Sequence, residues 1–189
     1  MNQSPGLSPW RVLKYAAGFT IPAVVALSFL SEGPFTWWAI AYGFGVLPLL
    51  EMVLPPSSKN LSKAEREWVS ADKSYDMMLW SMVLIKYALL AWFLWDISQG
   101  TRELWSTEWW GVVMAMGFSC SILGINVAHE LGHRPEKHHQ RLSQALLVTS
   151  LYTHFFIEHN QGHHRNVATK DDPATARRNE WLQVFWFRA

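Results

Sequence analysis

The sequence predicts an all-α integral membrane protein, with four transmembrane helices followed by cytoplasmic or interfacial helices that carry histidine motifs. The charged residues are clumped, and three long windows contain none: Tyr15–Ser31, Gly33–Leu50 and Trp109–His129. Helices of soluble proteins expose a polar face and rarely continue that far without a charge. In addition, all eight histidines lie between residues 129 and 164. These observations argue against a single soluble domain, and the chemistry is expected in the last third of the chain.

Composition excludes several further classes of protein. The formal net charge of +1 gives no general reason to expect nucleic-acid binding. With one cysteine, Cys120, the chain by itself cannot form a disulfide framework, a cysteine-type zinc site or an iron–sulfur cluster. Because Cys120 lies within an apolar run, we expect it to be a buried packing residue.

Four apolar segments are long enough to cross about 30 Å of hydrocarbon. They occupy residues 12–30, 35–54, 77–95 and 109–128. The third segment contains Lys86, which we expect to face the bundle or to snorkel to the membrane surface. We therefore divide the chain into a transmembrane bundle, residues 1–128, and a metal-binding region, residues 129–189.

The distribution of basic residues predicts the orientation. Fourteen of the 16 lysines and arginines lie in the N-terminal tail, between segments two and three, or after segment four, whereas the two opposite loops together hold only Arg102. The N terminus and the histidine-rich region are therefore predicted to face the cytoplasm. Tryptophans at the opposite ends of the segments are typical of an interfacial belt: Trp37, Trp38, Trp92, Trp95, Trp105, Trp109 and Trp110.

Two segments after residue 128 are predicted to lie against the bundle or the membrane. Residues 142–157 are apolar, but they number only 16 and are followed by charged and histidine residues. We expect a cytoplasmic or re-entrant helix there rather than a fifth crossing. Residues 177–189 place Trp181, Val184, Phe185 and Arg188 at helical spacing, which predicts an interfacial helix.

Two histidine motifs have the spacing of metal ligands. In the first, His129 and His133 are separated by four positions, so that both imidazoles share one face of a helix. In the second, His159 and His163 form another such pair, and His164 is offset by about 100° on an α-helix. Neutral imidazole is the commonest metal ligand in proteins, so these five residues are the predicted ligands.

The remaining histidines and nearby polar residues are weaker candidates. We expect His138 and His139 to be solvent exposed and His154 to be a buried, hydrogen-bonded residue, and we keep all three as secondary metal candidates. Asp76, near the cytoplasmic end of segment three, is expected to be exposed at the interface. Other polar residues could orient the imidazole N–H groups: Asn126, Glu130, Glu158, Asn160, Asp171 and Asp172.

The choice of metal rests on the donor set. Histidine ligands without a thiolate suit zinc, copper, iron or nickel. The string from His129 to His133 is by itself the zinc metalloprotease motif, with Glu130 as the general base. A protease needs only one more ligand, so this alternative leaves the second motif unexplained. Two clusters near one membrane face favour two metal ions, and redox-active iron is the economical choice.

Longer strings around the motifs resemble those of a known family. They are Asn126–Arg134 (NVAHELGHR), Glu158–Thr169 (EHNQGHHRNVAT), Asp171–Arg177 (DDPATAR) and Ala71–Asp76 (ADKSYD). These strings resemble the first two histidine boxes of alkane 1-monooxygenase and the segments that flank them. More distantly, the spaced boxes resemble those of the membrane fatty-acid desaturases and hydroxylases.

The resemblance implies a di-iron enzyme of the bacterial inner membrane. Such an enzyme inserts one oxygen atom of O₂ into the terminal carbon of a medium-chain n-alkane and yields a 1-alcohol. Its electrons come from rubredoxin and rubredoxin reductase, and the same resemblance is compatible with a homotrimer. The positions that match the family's iron ligands are His129, His133, His159, His163 and His164.

The chain departs from the family in one respect. The family carries further histidine boxes and two more membrane helices downstream, and it uses nine histidine ligands, whereas this chain ends at Ala189. We therefore expect a single incomplete catalytic domain, either the N-terminal part of a longer enzyme or one that other chains complete, with little activity in isolation. The alternatives are a lipid desaturase or hydroxylase, an alkyl-aromatic monooxygenase, a membrane zinc protease and a metal-binding protein without turnover.

Overall fold

The computed structural model describes the backbone of residues 9–55 and 60–188 and the side chains from residue 12 onward. All regular structure within these residues is helical. Four helices are long and apolar enough to cross a membrane, which confirms the predicted fold class: Val12–Leu30, Gly33–Val53, Lys73–Ser98 and Thr107–Gly132, called the first to fourth membrane helices.

The third and fourth membrane helices are longer than the apolar segments that predict them. The third begins at Lys73, where the side chain of Asp72 caps the helix by accepting a hydrogen bond from the backbone N–H of Ser74. The fourth, which begins after the cap residue Ser106, continues through the first histidine motif. The apolar pattern therefore marks only the part of each helix suited to hydrocarbon, whereas the caps set where each helix begins.

Three of the four membrane helices depart from regular α-helix. The first begins as a 3-10 helix, Pro9–Phe19. The second contains a π-helical turn, Tyr42–Val46, and the fourth contains a longer one, Cys120–Asn126. Glycines allow close helix contacts near these turns: a Cβ on Gly43 would clash with the Phe118 ring. π-turns are frequent at functional sites, and the second of these directly precedes the first histidine motif.

Buried side chains from all four membrane helices form one core, whose central members are Val25, Ala39, Leu89, Val112 and Leu123. Many large apolar side chains point outward instead, among them Met52 and Leu84. An outer surface of this kind is expected of a bundle surrounded by lipid. The chain is therefore a multi-pass membrane protein, in agreement with the sequence prediction.

Arg102 links two membrane helices at the end of the bundle farthest from the histidines. Its Nε lies 2.9 Å from Oδ2 of Asp96, and its two Nη atoms donate to the carbonyls of Phe29 and Ser31. The only basic residue in the predicted outer loops thus holds the ends of the first and third membrane helices together. Nearby, the rings of Trp105, Trp109 and Trp110 pack against one another.

A short helix, Lys137–Val148, packs alongside the third and fourth membrane helices, and we call it the inserted helix. The Ser143 hydroxyl donates to the carbonyl of Ala128 over 2.6 Å, and the Tyr87 hydroxyl donates to the carbonyl of Ala145 over 2.7 Å. At 12 residues it is about 18 Å long, too short to cross a bilayer. After a turn with Leu151 at φ 52°, the chain returns through residues 155–166.

Lys86 is fully buried halfway along the third membrane helix. Its Nζ lies 3.3 Å from the Ser119 hydroxyl and 3.1 Å from Sγ of Cys120. The sequence allowed Lys86 either to face the bundle or to snorkel to the membrane surface, and in the structure it faces the bundle. Cys120 is half-buried rather than fully buried, because it borders the turn after the inserted helix, where its Sγ lies 3.5 Å from the carbonyl of Thr149.

The C-terminal helix is shorter than predicted: it covers Leu182–Arg188 rather than residues 177–189. Glu180 accepts a hydrogen bond from the backbone N–H of Arg177, and this turn occupies the residues before the helix. Apolar side chains at its surface are exposed: Trp181, Leu182, Val184, Trp186 and Phe187. Its location at a membrane interface stays a prediction.

Candidate metal centre

The first histidine motif lies in the last α-helical turns of the fourth membrane helix, Val127–Gly132, directly after the π-turn. The backbone N–H of His133 donates to the carbonyl of His129, as the α-helical pattern requires. Residues four positions apart therefore share a face, and the two imidazole rings lie 4.5 Å apart between centroids. The structure thus has His129 and His133 side by side, as the sequence predicts.

The second motif is π-helical, not α-helical, over Glu158–His163. A π-helix bonds residues five positions apart, so His164 rather than His163 lies beside His159. The Nε2 atoms of His159 and His164 are 2.9 Å apart. His163 stacks against His159 with ring centroids 5.5 Å apart but lies outside the group of close ring nitrogens, so its role as a metal ligand stays a prediction.

The two motifs converge although 25 residues separate His133 from His159 in the sequence. Nε2 of His159 lies 2.8 Å from Nε2 of His129, and the rings of His133 and His164 are 4.7 Å apart between centroids. One ring nitrogen from each of His129, His133, His159 and His164 falls within a mutual distance of 4.8 Å. The inserted helix and its return turn produce this convergence, since they bring residue 159 back beside the end of the fourth membrane helix.

This nitrogen cluster fits a transition-metal ion. The Nε2 atoms of His129 and His164 lie 2.8 and 2.9 Å from that of His159, which are hydrogen-bond distances between imidazoles. A set of imidazole nitrogens suits iron, zinc, copper or nickel. The residues present therefore fit a transition-metal ion bound by imidazole nitrogens.

Two of the clustered imidazoles have lowered pKa values, which favours the neutral form that metals require. Burial, together with the nearby histidines, lowers the pKa of His159 to about 4. Burial and the neighbouring rings of His129 and His164 also lower the pKa of His133. Protonated rings packed this closely would repel one another, and this repulsion favours the neutral form of the rings, which is the form that binds a metal ion.

His163 lies outside the tight cluster and has a partner of its own. Its Nδ1 is 2.8 Å from Oδ2 of Asp172, whose carboxylate is 2% exposed. Burial raises the pKa of Asp172, but hydrogen bonds from the Thr175 hydroxyl, the Ala174 backbone N–H and His163 outweigh it, so that this pKa lies below its ordinary value. An ionised carboxylate on Nδ1 fixes the tautomer of a histidine and leaves Nε2 as the potential ligand atom.

Asp172 is held by a network that the sequence does not reveal. Arg188 of the C-terminal helix lies 2.6 and 2.8 Å from the two oxygens of Glu180, and it donates to the carbonyls of Pro173 and Thr175. The Thr175 hydroxyl in turn donates to Asp172. The string Asp172-Pro173-Ala174-Thr175 is compatible with a turn in which Asp172 accepts from Ala174, but nothing in the sequence pairs Arg188 with Glu180.

The other predicted orienting residues do not contact an imidazole in the part of the chain that the structure describes. Glu130 is exposed and pairs with Arg134 over 3.0 Å. The amide of Asn160 donates to the carbonyl of Phe156 instead of a ring. Asn126, Glu158 and Asp171 are exposed. Asp76, which we expected to be exposed, is 6% exposed because Lys73 and Arg134 flank its carboxylate.

The three secondary histidines are not part of the nitrogen cluster. His138 is exposed, as predicted, but His139 is 3% exposed, because its ring packs beside Trp80 and its Nδ1 lies 3.3 Å from Glu136. His154 is exposed beside the Tyr152 ring rather than buried, since it lies in the turn that follows the inserted helix. The expectations for His139 and His154 are therefore wrong.

Comparison with known proteins agrees with this interpretation of the motifs. Residues 107–189 match the fatty acid desaturase family. The chain is 36% identical over 159 residues to alkane 1-monooxygenase of Pseudomonas putida, covering 79% of this chain and 38% of that protein. It is 33% identical over 171 residues to alkane 1-monooxygenase 1 of Alcanivorax borkumensis, covering 87% of this chain and 41% of that protein.

The chain spans about two fifths of the length of these curated relatives. The matches to these relatives cover 79–87% of this chain, and both histidine motifs lie within the residues that match the desaturase family. The resemblance to the alkane 1-monooxygenases that the histidine motifs predict is therefore confirmed.

Proposed function

We propose that this chain forms the iron-binding part of a membrane monooxygenase that hydroxylates the terminal carbon of medium-chain n-alkanes to 1-alcohols. The observation that carries the proposal is the convergence of His129, His133, His159 and His164 at the end of a membrane-spanning helix. The names of the relatives, alkane 1-monooxygenases, supply the reaction. Dioxygen is the proposed oxidant, and rubredoxin with its reductase is the proposed electron donor.

Iron is the proposed metal, with two ions per active site. Four protein ligands would close a tetrahedral zinc site, whereas a catalytic zinc keeps one position open. The four imidazoles would instead hold an iron ion, which would supply the redox chemistry that zinc lacks. Glu130, the base that a zinc protease would use, is instead paired with Arg134. His163, held by Asp172, is the proposed ligand of the second ion.

The residues of this chain perform three tasks in the proposed reaction. The four clustered imidazoles would hold the metal, and the lowered pKa values of His133 and His159 keep those two rings free of protons at neutral pH. Asp172 orients His163. The bundle positions the site at a membrane boundary, where an alkane dissolved in the bilayer and a soluble electron carrier can both approach. Bound iron supplies the redox chemistry that activates dioxygen toward a C–H bond.

We also propose a location and an assembly. The excess of basic residues beside the histidine end of the bundle supports a cytoplasmic position for the metal centre in the bacterial inner membrane. The exposed apolar outer surface is compatible with a homotrimer in the bilayer, as the resemblance implies.

Product analysis tests the proposed reaction. Protein expressed from the complete reading frame is supplied with n-octane, ¹⁸O₂, rubredoxin, its reductase and NADH. The expected product is 1-octanol that carries one labelled oxygen. His159→Ala should abolish it, whereas His138→Ala should retain it, since His138 is exposed and lies outside the cluster. Oxidation of a xylene or a fatty acid in place of octane would contradict the proposal and favour one of the alternative oxygenases.

A further inference from the structure

A cavity of about 600 Å³ lies between the first, third and fourth membrane helices, beside the short helix Lys63–Ser70. Its floor is apolar, with Ile21, Met82 and Leu123 as buried members. Ligand pockets of proteins have volumes of about 300–1,000 Å³ and mostly apolar walls. The cavity therefore has the size and lining of a binding site.

The cavity is distinct from the nitrogen cluster. None of the described residues that line it is a histidine. Val127, Glu130 and Arg134 line it at spacings of three and four residues, which places them on one face of the helical turns. His129 and His133 lie on the adjacent face, about 100° around the axis. The same helical segment thus separates two sites, one for metal and one lined by apolar side chains.

The rim of the cavity is polar but balanced in charge. Arg134 lies 3.0 Å from Glu130 and 3.7 Å from Asp76, and Lys73 lies 3.3 Å from the other oxygen of Asp76. Arg66 and Asp72, which have opposite charges, complete the rim. An anionic head group would meet these carboxylates, and a cationic one would meet the guanidinium groups. A hydroxyl both donates and accepts, so it suits this rim better than either ion.

The depth of the cavity sets the length of its ligand. Asp76 at the rim and Met82 at the floor are six residues apart on one helix, about 9 Å along its axis. An alkyl chain of medium length spans that distance when extended. The walls between them are apolar, so a chain without internal polar groups is favoured.

The geometry points to a binding site for a medium-chain primary alcohol, with the hydroxyl at Asp76, Glu130 and Arg134 and the alkyl chain between Ile21, Met82 and Leu123. That this alcohol is a reaction product rests on the proposed function. Binding of the alcohol does not rest on that function, because the described lining residues include none of the clustered histidines.

Photolabelling tests this site directly. A decanol derivative with a diazirine at its far end is bound to the purified chain in lipid nanodiscs, irradiated, and mapped by mass spectrometry of peptides. The probe should label the segments around Ile21, Met82 and Leu123. Unlabelled 1-decanol should compete, and n-decane and decanoate should compete about tenfold less well, a difference of about 1.4 kcal/mol.

Matched variants separate the cavity from the lipid-facing surface. Met82→Trp and Ile21→Phe fill the floor from two different helices, and each should lower labelling about tenfold. Met114→Trp is the control, since Met114 is 41% exposed and does not line the cavity. His159→Ala should label like the wild type, so a failure of the proposed reaction leaves this result unchanged. Labelling that survives both filling variants, or that decane and decanoate compete equally well, would overturn the proposal.

Discussion

His159 is the residue on which the two histidine motifs converge. Its Nε2 lies within 2.9 Å of ring nitrogens from both His129 and His164. Sequence spacing is enough to identify the five motif histidines, because imidazoles at metal-ligand spacing form a recognisable pattern. It does not identify which of His163 and His164 joins the cluster. That choice depends on the five-residue hydrogen-bond spacing of a π-helix, for which apolar periodicity carries no signal.

At the residue scale, we predict that loss of the Asp172–His163 contact weakens metal binding without abolishing it. Asp172→Asn removes the charge that fixes the His163 ring, and loss of such partners typically lowers metal affinity or activity about 10- to 100-fold. Asp171→Asn is the matched control, because Asp171 is adjacent in sequence but exposed. Iron affinity is measured by competition with a chelator. Equal effects of the two substitutions would contradict the assigned role of Asp172.

The lowered pKa of His159 predicts a pH dependence of stability for the metal-free protein. An unfolded histidine titrates at about 6.5, whereas the pKa of His159 in the folded chain is about 4. The unfolded state therefore binds more protons between these values, and stability should fall as the pH drops from about 6.5 toward about 4. Melting temperatures in detergent should drop more for the wild type than for His159→Gln. Equal pH profiles would contradict this interpretation.

The inserted helix is the element that closes the metal centre. In its last turn the Ala145 carbonyl accepts a hydrogen bond from the Tyr87 hydroxyl, and in the turn that follows the Ser150 hydroxyl donates to the carbonyl of Cys120 in the fourth membrane helix. The length of the apolar segment alone argues against a fifth crossing, and the structure agrees. The contacts of the turn are not predictable from sequence, because they depend on the π-turn at Cys120–Asn126.

Gly124 provides a test of this element. A Cβ at Gly124 would clash with the Ser150 hydroxyl, so Gly124→Ala should push the turn after the inserted helix away from the fourth membrane helix. Overpacking of this kind typically lowers the free energy of unfolding by about 1–3 kcal/mol. The second motif should shift with the turn, which would lower iron retention as well as stability. Both are measured on the same preparation, by metal analysis and by thermal unfolding in detergent.

Gly117 is the matched control for that substitution. It lies in the same membrane helix, and a Cβ there would have no neighbour within 4 Å. Gly117→Ala should therefore leave iron retention unchanged and stabilise the helix by up to about 1 kcal/mol. If Gly124→Ala behaved in the same way, the proposed coupling between the turn and the metal centre would be wrong.

At the scale of the whole molecule, the bundle has two chemically different ends. The histidine end carries the nitrogen cluster and most of the basic residues, and the opposite end carries Arg102 with a group of tryptophans. The clumping of charge along the sequence is enough to predict this polarity, since the rule that governs orientation depends on counts in loops and not on contacts. The cavity and the Arg188 network are long-range features, so no local pattern could predict them.

Labelling of single cysteines tests the proposed orientation. In a Cys120→Ser background, Gln99→Cys and His138→Cys place thiols at exposed positions on opposite ends of the bundle. A membrane-impermeant maleimide should label position 99 in intact cells, and it should label position 138 only after lysis. The reverse pattern would place the histidine end outside the cytoplasm and contradict the proposal.

The most direct measurement is the metal content of the purified protein together with its X-ray absorption spectrum. We predict iron with imidazole ligands, lost in His129→Ala and in His159→Ala and retained in His138→Ala. A substitution in either motif should remove the iron, because both motifs supply nitrogen atoms to the same cluster. Zinc in place of iron, or iron that survives the loss of either motif, would contradict the claim that the two motifs form one iron centre.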